Sequence, residues 1–331
     1  MRAAVFGAGA TGTVLGALIA KCGKEIDLIT RNKEHVTALN AHGAHISGKT
    51  HLNVKVNALL PEESRGKYGL IFLMTKQTAN ESAYEFIRAH LLEDGVVCTL
   101  QNGLPEVELA SAVCENRCLG CTATFGATFI RAGEAELTSE KISFALGSPF
   151  GKIQQITTVK EYLQCAGNVT IINNFTGARW AKLAINAAFS PLSAITGLTF
   201  GQVAADERGR KLALALLNEA FTAAKSNGVK LEKIQGHDIV KLFGCKGAIK
   251  RVFALKILPL AVKSHKNIVS GMYFDLKSGK TCEIEYLNGA VVKAAKEGGI
   301  AVPLNEKVIS LAHEIEGGAR KIRKENLNAL V

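Results

Sequence analysis

The sequence has little proline and few aromatic residues, and each shortage argues against a class of protein. Only 6 of 331 residues are proline, whereas 47% are hydrophobic, which argues against a disordered or low-complexity chain. Aromatic residues make up 6%, and no basic stripe alternates with them, so the net charge of +11 indicates solvated surface rather than a nucleic-acid groove. A chain of this length without repeats or a Ser/Pro-rich linker predicts two domains.

Long apolar runs are also scarce. The exception is residues 3–20, which carry no charge and approach the length of a membrane span or signal segment. Four glycines interrupt this run, and glycine is a weak helix former. A strand, turn and helix account for these glycines better, so we expect a cytoplasmic protein with neither a membrane span nor a cleaved leader.

Cysteines are present, but their spacing is not that of a disulfide framework. The eight cysteines are scattered, which is typical of a reducing cytoplasm. Cys114, Cys118 and Cys121 have the C-x3-C-x2-C spacing of some iron–sulfur enzymes. However, residues 118–124 have the pattern of a strand, which would point Cys118 and Cys121 to opposite faces. We therefore predict buried structural thiols and no metal site.

A glycine-rich turn follows the first apolar run. The turn consists of Gly7, Ala8, Gly9, Ala10, Thr11 and Gly12. It lies between a predicted strand at 2–6 and a predicted helix ending at Gly23, and a second strand follows at 25–30. In such a unit Gly7 permits the tight turn, Gly9 lets the backbone approach a pyrophosphate, and Gly12 lets the helix pack closely. The order of these elements predicts a dinucleotide site with the phosphates at the helix N-terminus.

The end of the second strand indicates which dinucleotide would bind. An NAD site has an acidic residue here for the ribose 2′-hydroxyl, but this chain has Arg31, and Asp27 lies too early in the strand. A guanidinium fits a 2′-phosphate through its charge and paired donors. The sequence therefore predicts NADP(H), although Arg31 could also be an ordinary surface arginine.

Two later predicted strands also end in polar residues. Strand 69–75 leads into Lys76, and strand 95–100 leads into Asn102. Because ligands of doubly wound sheets lie beyond the carboxyl ends of the strands, we expect these residues to share one edge with Arg31 and the glycine turn. Each could instead be a turn residue only. Further strand-like pieces, ATFGATFI, ISFALGS and VTIIN between residues 118 and 172, are predicted to close the same sheet.

The pattern changes from strands to helices near residue 174. We therefore predict an NADP-binding Rossmann domain at 1–173 and a helical substrate and catalytic domain at 174–331. The predicted helices span 176–190, 203–227, 232–243, 246–265, 281–297 and 305–324. In a two-domain oxidoreductase the substrate lies between the domains, so the first helix should face that cleft.

The first of these helices carries three polar residues in one row. Lys182, Asn186 and Ser190 are four residues apart, which places them on one face of a helix. Lys182 could also simply extend along the helix edge into solvent. Glu283 is expected in the first turn of a later helix capped by Thr281, either near the site or simply interacting with the helix dipole.

These motifs together resemble the ketopantoate reductase (2-dehydropantoate 2-reductase) family. The matching segments are GAGATG at 7–12, Asn102-Gly103, WAKLAIN at 180–186, CEIEYLNGAVV at 282–292 and GIAVP at 299–303. They cover nearly the whole chain in the family's order. The resemblance implies an α/β, Rossmann-like, doubly wound domain followed by an all-α domain like the C-terminal domain of 6-phosphogluconate dehydrogenase. It also implies NADPH-dependent reduction of a 2-keto acid to a 2-hydroxy acid, in pantothenate and coenzyme A biosynthesis.

The resemblance also implies roles for individual residues. Lys182 would be the general acid, Asn186 would bind substrate, and Asn102 would contact both nicotinamide and substrate. Glu283 would contact the cofactor or orient the lysine. In the segment TFGAT, Gly126 or Ala127 would line the cofactor.

Two positions depart from the family pattern. Ser190 stands where the family commonly has a second asparagine, and Ser270 lies one residue before the usual serine position, which is Gly271 here. We expect both serines to contact substrate, and the substrate could be ketopantoate or another branched or aromatic 2-keto acid. A D-mandelate-type dehydrogenase using NAD(P) and a non-catalytic protein that senses a dinucleotide also stay open. The expected partner is a small 2-keto acid, without nucleic acid or membrane, and a homodimer is left open.

Overall fold

The computed structural model describes residues 1–234, 236–245 and 247–330, and these form two compact units, Met1–Phe175 and the chain from Thr176 onward. The strands are β1 Ala3–Phe6, β2 Ile26–Ile29, β3 Ala44–Gly48, β4 Leu52–Val54, β5 Asn57–Leu59, β6 Tyr68–Leu73, β7 Leu91–Thr99, β8 Cys118–Ala123, β9 Ala127–Arg131, β10 Glu134–Leu137, β11 Ser143–Gly147 and β12 Asn168–Ile171. The helices of the first unit are α1 Ala10–Lys21, α2 Lys33–His42, α3 Asn80–His90, α4 Glu106–Val113 and α5 Ile156–Gln164. Those that follow are α6 Phe175–Thr196, α7 Phe200–Ala205, α8 Glu207–Ser226, α9 Ile239–Phe243, α10 Ala248–Ala261, α11 Gly271–Lys277, α12 Ala290–Glu297 and α13 Pro303–Glu316.

The first unit is built on an eight-stranded sheet in the order β12-β11-β8-β7-β6-β1-β2-β5. The strands from β5 to β8 are parallel, and only the β11–β8 pair is antiparallel. Strands β1 and β6 are apolar, β2 is apolar except for Asp27, and all three are buried along their whole length, as expected for parallel strands covered on both faces. The predicted Rossmann-like sheet is therefore confirmed.

A second, four-stranded sheet was not predicted. Its order is β4-β3-β10-β9. The prediction that ATFGATFI belongs to the main sheet is wrong for its second half, because β8 ends at Ala123 and β9 pairs with β10 in the second sheet. The chain turns at Gly126, whose N–H donates to Ser139 Oγ at 2.9 Å and whose carbonyl accepts from Thr138 at 3.0 Å. The other two pieces do join the main sheet, as β11 and β12.

The second unit is helical, as predicted, but several helices have other bounds. The predicted helix 203–227 is divided at Asp206, whose carboxylate accepts from Gly209 N–H and caps α8. The predicted helix 305–324 ends at Glu316, because two glycines follow and Gly318 has a φ of +75°.

Two other predicted helices are also shorter than expected. In place of 232–243 the structure has only α9, which is capped by the side chain of Asp238, and Gln235 of the predicted helix lies outside the described residues. In place of 246–265 it has α10, with Lys246 likewise outside the described residues. Within the part of the chain that the structure describes, no helix combines the length and apolar character needed to cross a membrane.

Candidate functional site

The glycine turn has the geometry that a dinucleotide site requires. Gly7 has a φ of +102°, and a Cβ there would collide with the backbone of Thr75. A Cβ at Gly9 would meet no atom within 4 Å, so the space beside it is open to a ligand. A Cβ at Gly12 would collide with the carbonyl of Gly7 and lie 3.1 Å from Val5 Cγ1. Gly12 thus allows the close approach of α1 to β1.

The helix that follows the turn begins with unpaired donors. Gly9 is the N-cap of α1, and the first intrahelical bond runs from Thr13 N–H to Gly9 O at 2.8 Å. The N–H groups of Ala10, Thr11 and Gly12 therefore have no acceptor within the helix. With the positive end of the helix dipole, they form a site suited to a phosphate.

Parallel pairing brings four predicted positions to one edge of the sheet. Phe6 at the end of β1 pairs with Ile29 of β2 and with Leu73 of β6, and Leu73 pairs with Thr99 of β7. The residues that follow these strand ends are the glycine turn, Arg31, Lys76 and Asn102. The structure therefore aligns these four predicted features along the carboxyl edge of the main sheet.

Side-chain hydrogen bonds hold the loops of this edge together. Gln77 Nε2 donates to the carbonyl of Asn102 at 2.6 Å. The buried Gln101 donates to Asn80 Oδ1 at 2.8 Å and accepts from Thr99 Oγ1 at 3.1 Å. Asn102 therefore belongs to a loop whose backbone is fixed by a neighbouring loop. Gln77 and Gln101 were not predicted, since nothing in the sequence distinguishes them from ordinary turn residues.

Arg31 is exposed at this edge. It directly precedes Asn32, the N-cap of α2, whose side chain accepts from His35 N–H at 3.1 Å. Within the described part of the chain, the Arg31 guanidinium makes no hydrogen bond or ion pair. The charge is therefore available to an anionic group beyond the end of β2.

A buried histidine supports the glycine turn, and the sequence analysis missed it. His35 Nδ1 accepts from Gly133 N–H at 2.9 Å, so Nε2 carries the proton and donates to Thr13 Oγ1, also at 2.9 Å. Thr13 Oγ1 in turn donates to the carbonyl of Ala8 at 3.4 Å. Burial lowers the pKa of His35, which favours the neutral ring that this arrangement needs. The only sequence signal is its position beside Val36 on an apolar helix face.

The row of polar residues predicted in the second unit lies on one helix. α6 runs through Lys182, Asn186 and Ser190 and continues past Pro191, six residues beyond the predicted end at 190. Lys182 and Asn186 are half-buried, whereas Ser190 is buried, with 8% of its surface exposed. The hydroxyl of Ser190 makes no hydrogen bond to any described residue.

Pro191 leaves a gap in the hydrogen bonds of α6 that another segment fills. Proline has no N–H to donate to the carbonyl four residues earlier, which is that of Ala187. Asn288 Nδ2 donates to this carbonyl at 2.9 Å. The same amide nitrogen donates to Asn305 Oδ1 at 2.8 Å, and Asn305 donates to Glu219 at 2.7 Å. A buried polar network thus replaces the missing bond of α6.

Asn288 belongs to a π-helical turn, Glu285–Gly289, that leads into α12. The predicted cap at Thr281 is wrong, because Glu316 Oε1 accepts from Cys282 N–H at 2.8 Å and holds this segment outside the helix. Glu283 lies one residue before the first helical residue, and its carbonyl accepts from Leu287 N–H at 3.2 Å. Glu283 is half-buried.

The remaining predicted residues lie elsewhere. Ser270 is buried and caps α11 by accepting from Met272 N–H at 3.3 Å. The same hydroxyl would have to serve both this cap and the predicted substrate contact. Gly271 is exposed and a Cβ there would meet nothing within 4 Å. Ala127 begins β9 and pairs with Leu137 in the second sheet, rather than lying on the edge of the main sheet.

The cysteine cluster is divided by the main sheet. Cys118 and Cys121 lie on β8 and pack into two different apolar clusters, which confirms the prediction of opposite faces. Cys114 is exposed, so the prediction of a buried thiol is wrong there. Among the described residues, no group of three or more His, Cys, Asp or Glu is arranged to hold a metal ion.

The fold and the carboxyl edge of the sheet define a Rossmann-like protein with an additional helical unit. Two family models match the chain, Ketopantoate reductase PanE/ApbA at residues 3–149 and Ketopantoate reductase PanE/ApbA C terminal at 174–316. The chain therefore belongs to the ketopantoate reductase family, whose members are oxidoreductases acting on CH–OH groups.

Individual relatives and structures match nearly the full length. The 2-dehydropantoate 2-reductase of Pyrococcus horikoshii is 28% identical over 325 residues, which is 97% of this chain and 100% of that protein. The ketopantoate reductase structure from Ralstonia eutropha superposes with a TM-score of 0.81 at 26% identity, covering 96% of this chain and 99% of that one. A D-mandelate dehydrogenase in a ternary complex with NADH and anilino(oxo)acetate superposes at 0.82 with 22% identity, covering 96% and 99%, a likeness of fold alone.

Proposed function

We propose that the protein is an NADPH-dependent reductase that converts a 2-keto acid to a 2-hydroxy acid, with ketopantoate as the first substrate to test. The observation that carries the proposal is the combination of family membership with Lys182 and Asn186 on one half-buried face of α6. The reaction would belong to pantothenate and coenzyme A biosynthesis, in the cytoplasm. The oligomeric state, with a homodimer as one option, is tested by light scattering.

The residues of the first unit fit a dinucleotide. The open space at Gly9 and the N–H groups of residues 10–12 suit the pyrophosphate, and the exposed Arg31 suits a ribose 2′-phosphate. Lys76, Asn102 and Glu283 are proposed as further cofactor contacts, and Ala127 as a position lining it. Arg31 is the reason for preferring NADPH over NADH.

The proposed chemistry follows from the charge that develops on the substrate. When bound, the nicotinamide would supply a hydride to the C2 carbonyl carbon, which places negative charge on the carbonyl oxygen. Lys182 would polarise this oxygen and donate a proton to it, a role suited to an amine in a partly desolvated site. Asn186 and Asn102 would orient the substrate by hydrogen bonds. Glu283 would keep Lys182 protonated until transfer, or contact the cofactor.

The choice of keto acid depends on two positions. Ser190 offers a hydroxyl without a hydrogen-bond partner in the described chain, whereas Gly271 offers no side chain. Because these two positions differ from the family pattern, the second candidate is a D-mandelate-type enzyme that acts on another branched or aromatic 2-hydroxy acid. A non-catalytic dinucleotide sensor is the third, and the presence of both Lys182 and Asn102 argues against it.

A substrate panel combined with two variants of Lys182 and one control variant tests the function. Purified protein should oxidise NADPH with ketopantoate or another branched or aromatic 2-keto acid. Lys182→Ala should lower kcat by about 10²–10⁴-fold, the usual contribution of a positioned general acid. Lys182→Arg should lose kcat while retaining substrate binding, because the guanidinium keeps its proton. The exposed Lys293 on α12 provides the control, since Lys293→Ala should leave kcat unchanged. An unchanged kcat in Lys182→Ala would refute the assignment, and no turnover with any keto acid would refute the function.

A further inference from the structure

Two cysteines meet at the surface of the first unit, far from the sheet edge described above. Cys22 is the C-cap of α1, and Cys165 is the C-cap of α5. They are 143 positions apart in the chain, yet Cys22 Sγ lies 3.8 Å from the carbonyl oxygen of Cys165. The Cys165 thiol lies at the same helix end and donates to the carbonyl oxygen of Glu161 at 3.6 Å. Cys22 is exposed and Cys165 half-exposed, so small solutes can reach the pair.

A neighbouring lysine holds the two helix ends together. Lys24 Nζ lies 3.8 Å from Glu161 Oε2 on α5 and 5.3 Å from the ring centroid of Tyr162. Tyr162 is buried and anchors α5 by donating its hydroxyl proton to the carbonyl of Met1 at 2.6 Å. These contacts hold the C-terminal part of α5 beside the segment that follows α1.

We propose that Cys22 and Cys165 form a reversible disulfide when the protein meets hydrogen peroxide, which makes this pair a redox modification site. The site is separate from the proposed keto acid chemistry and does not depend on it. It ties the C-terminal end of α1, whose N-terminal end faces the proposed pyrophosphate site, to α5.

The reaction takes place in two balanced steps. In the first, the Cys22 thiol reacts with hydrogen peroxide to give a sulfenic acid and one water, so that Cys22 is oxidised and the peroxide is reduced. In the second, the Cys165 thiol attacks the sulfenic sulfur, the S–S bond forms, and the hydroxyl leaves as a second water. Two thiols have then lost two electrons to one peroxide.

The surroundings decide which thiol reacts first. Burial and the neighbouring Cys22 thiol raise the pKa of Cys165 to about 11, so Cys165 stays a thiol at neutral pH. Cys22 is the more exposed of the two and is the one that peroxide reaches directly. Cys165, whose own carbonyl oxygen contacts Cys22 Sγ, is the neighbouring thiol that then resolves the sulfenic acid.

The experiment uses the full-length reduced protein treated with stepwise additions of hydrogen peroxide. Remaining thiols are alkylated under denaturing conditions, and the intact mass and a non-reducing tryptic map are recorded. We expect six alkylated cysteines in place of eight and one cross-linked peptide pair containing Cys22 and Cys165. Dithiothreitol should restore all the thiols.

Three variants complete the test. Cys114→Ser removes an exposed thiol on α4's C-terminal end and should form the disulfide like the wild type. Cys22→Ser should abolish the cross-link, and Cys165→Ser should leave a sulfenic acid at Cys22 that dimedone traps. The proposal is overturned if Cys114 is oxidised while Cys22 and Cys165 remain reduced, or if the cross-link joins another pair. Because every readout is a mass, these outcomes are independent of whether the protein reduces a keto acid.

Discussion

Arg31 is the residue on which the preference for NADPH depends. It lies two residues after the end of β2, is exposed, and precedes a helix whose N-cap is already satisfied by Asn32. A guanidinium in this position can make paired, charge-assisted hydrogen bonds to a phosphate, which an ammonium or hydroxyl cannot reproduce. The neighbouring Lys33 is also exposed but is the first residue of α2.

Replacing Arg31 should therefore change the affinity for one cofactor more than the other. A charge-assisted hydrogen bond contributes about 1.5–3 kcal/mol, which corresponds to roughly 10–100-fold in affinity. We expect Arg31→Ala to raise the Kd of NADPH by this factor and that of NADH by much less, as measured by fluorescence titration. Lys33→Ala is the matched control and should change the ratio of the NADPH and NADH Kd values little. Equal losses for both cofactors in Arg31→Ala would show that the arginine does not bind the 2′-phosphate.

His35 makes the first unit sensitive to pH. Burial lowers the pKa of His35 below the usual 6.5, so the folded protein prefers the neutral ring. In the unfolded chain the same imidazole takes up its proton with the usual pKa of 6.5. A second proton would also turn Nδ1 into a donor facing the Gly133 N–H. The stabilisation of the folded state by neutral His35 is therefore complete above pH 6.5, and it is lost as the pH falls from 6.5 through the lower pKa of the folded protein.

Thermal unfolding at a series of pH values checks this expectation. The Tm of the wild type should fall between pH 7 and pH 5, and His35→Gln should fall less steeply over the same range because its side chain does not titrate. His42→Gln, at the exposed end of the same helix, should keep the wild-type slope. Parallel slopes for wild type and His35→Gln would exclude His35 as the cause.

At the scale of whole elements, α6 depends on a segment far along the chain. Pro191 removes one backbone donor from this helix, and Asn288 supplies the missing bond from the π-helical turn. π-helical turns are rare and are often found at functional sites. Here the turn places the Asn288 amide against the Ala187 carbonyl, so the continuation of α6 beyond Ser190 depends on Asn288.

A double-mutant cycle measures this dependence. Asn288→Ala should lower the free energy of unfolding by about 2–3 kcal/mol, because it leaves buried acceptors without donors. In a Pro191→Ala background, residue 191 can donate to the Ala187 carbonyl itself, so the same substitution should cost about 1 kcal/mol less. Urea unfolding of the four proteins gives the coupling.

The control uses another asparagine that donates to helix carbonyls. Asn227 Nδ2 donates to the carbonyl oxygens of Ala223 and Ala294, at 2.9 and 2.8 Å, and neither is near a proline gap. Asn227→Ala should therefore be additive with Pro191→Ala. Additivity of Asn288→Ala as well would mean that Asn288 does not compensate for the proline.

These elements also show where sequence reasoning succeeds and fails. The order of strand, glycine turn and helix predicted the main sheet and its carboxyl edge, because buried parallel strands and glycine turns leave strong local signals. The second sheet was missed because β9 is exposed and because β10 pairs with β3, which lies far earlier in the chain. The continuation of α6 past Pro191 was missed for the same reason, since its compensation comes from Asn288.

For the molecule as a whole, the net charge of +11 is the most general property. NADPH and keto acids are both anions, so a positive field should accelerate their association, and dissolved salt screens such a field. The effect should appear in the association step rather than in proton transfer.

Steady-state kinetics at different ionic strengths check this. Between low and high salt, kcat/KM for NADPH should fall several-fold while kcat changes little. NADH carries less negative charge, so its kcat/KM should fall less over the same range. A loss of kcat equal to the loss of kcat/KM would indicate an effect of salt on the chemistry instead.

The dependence of α6 on Asn288 has a consequence for synthesis on the ribosome. The Ala187 carbonyl is translated 101 positions before the side chain that completes its hydrogen bonding. At about 5–20 residues per second, the second half of α6 must wait on the order of 5–20 s for its partner. The apolar residues around Pro191 are therefore exposed in the nascent chain until Asn288 emerges. Truncated products that end before Asn288 should consequently be substrates for chaperones and proteases, rather than folded fragments.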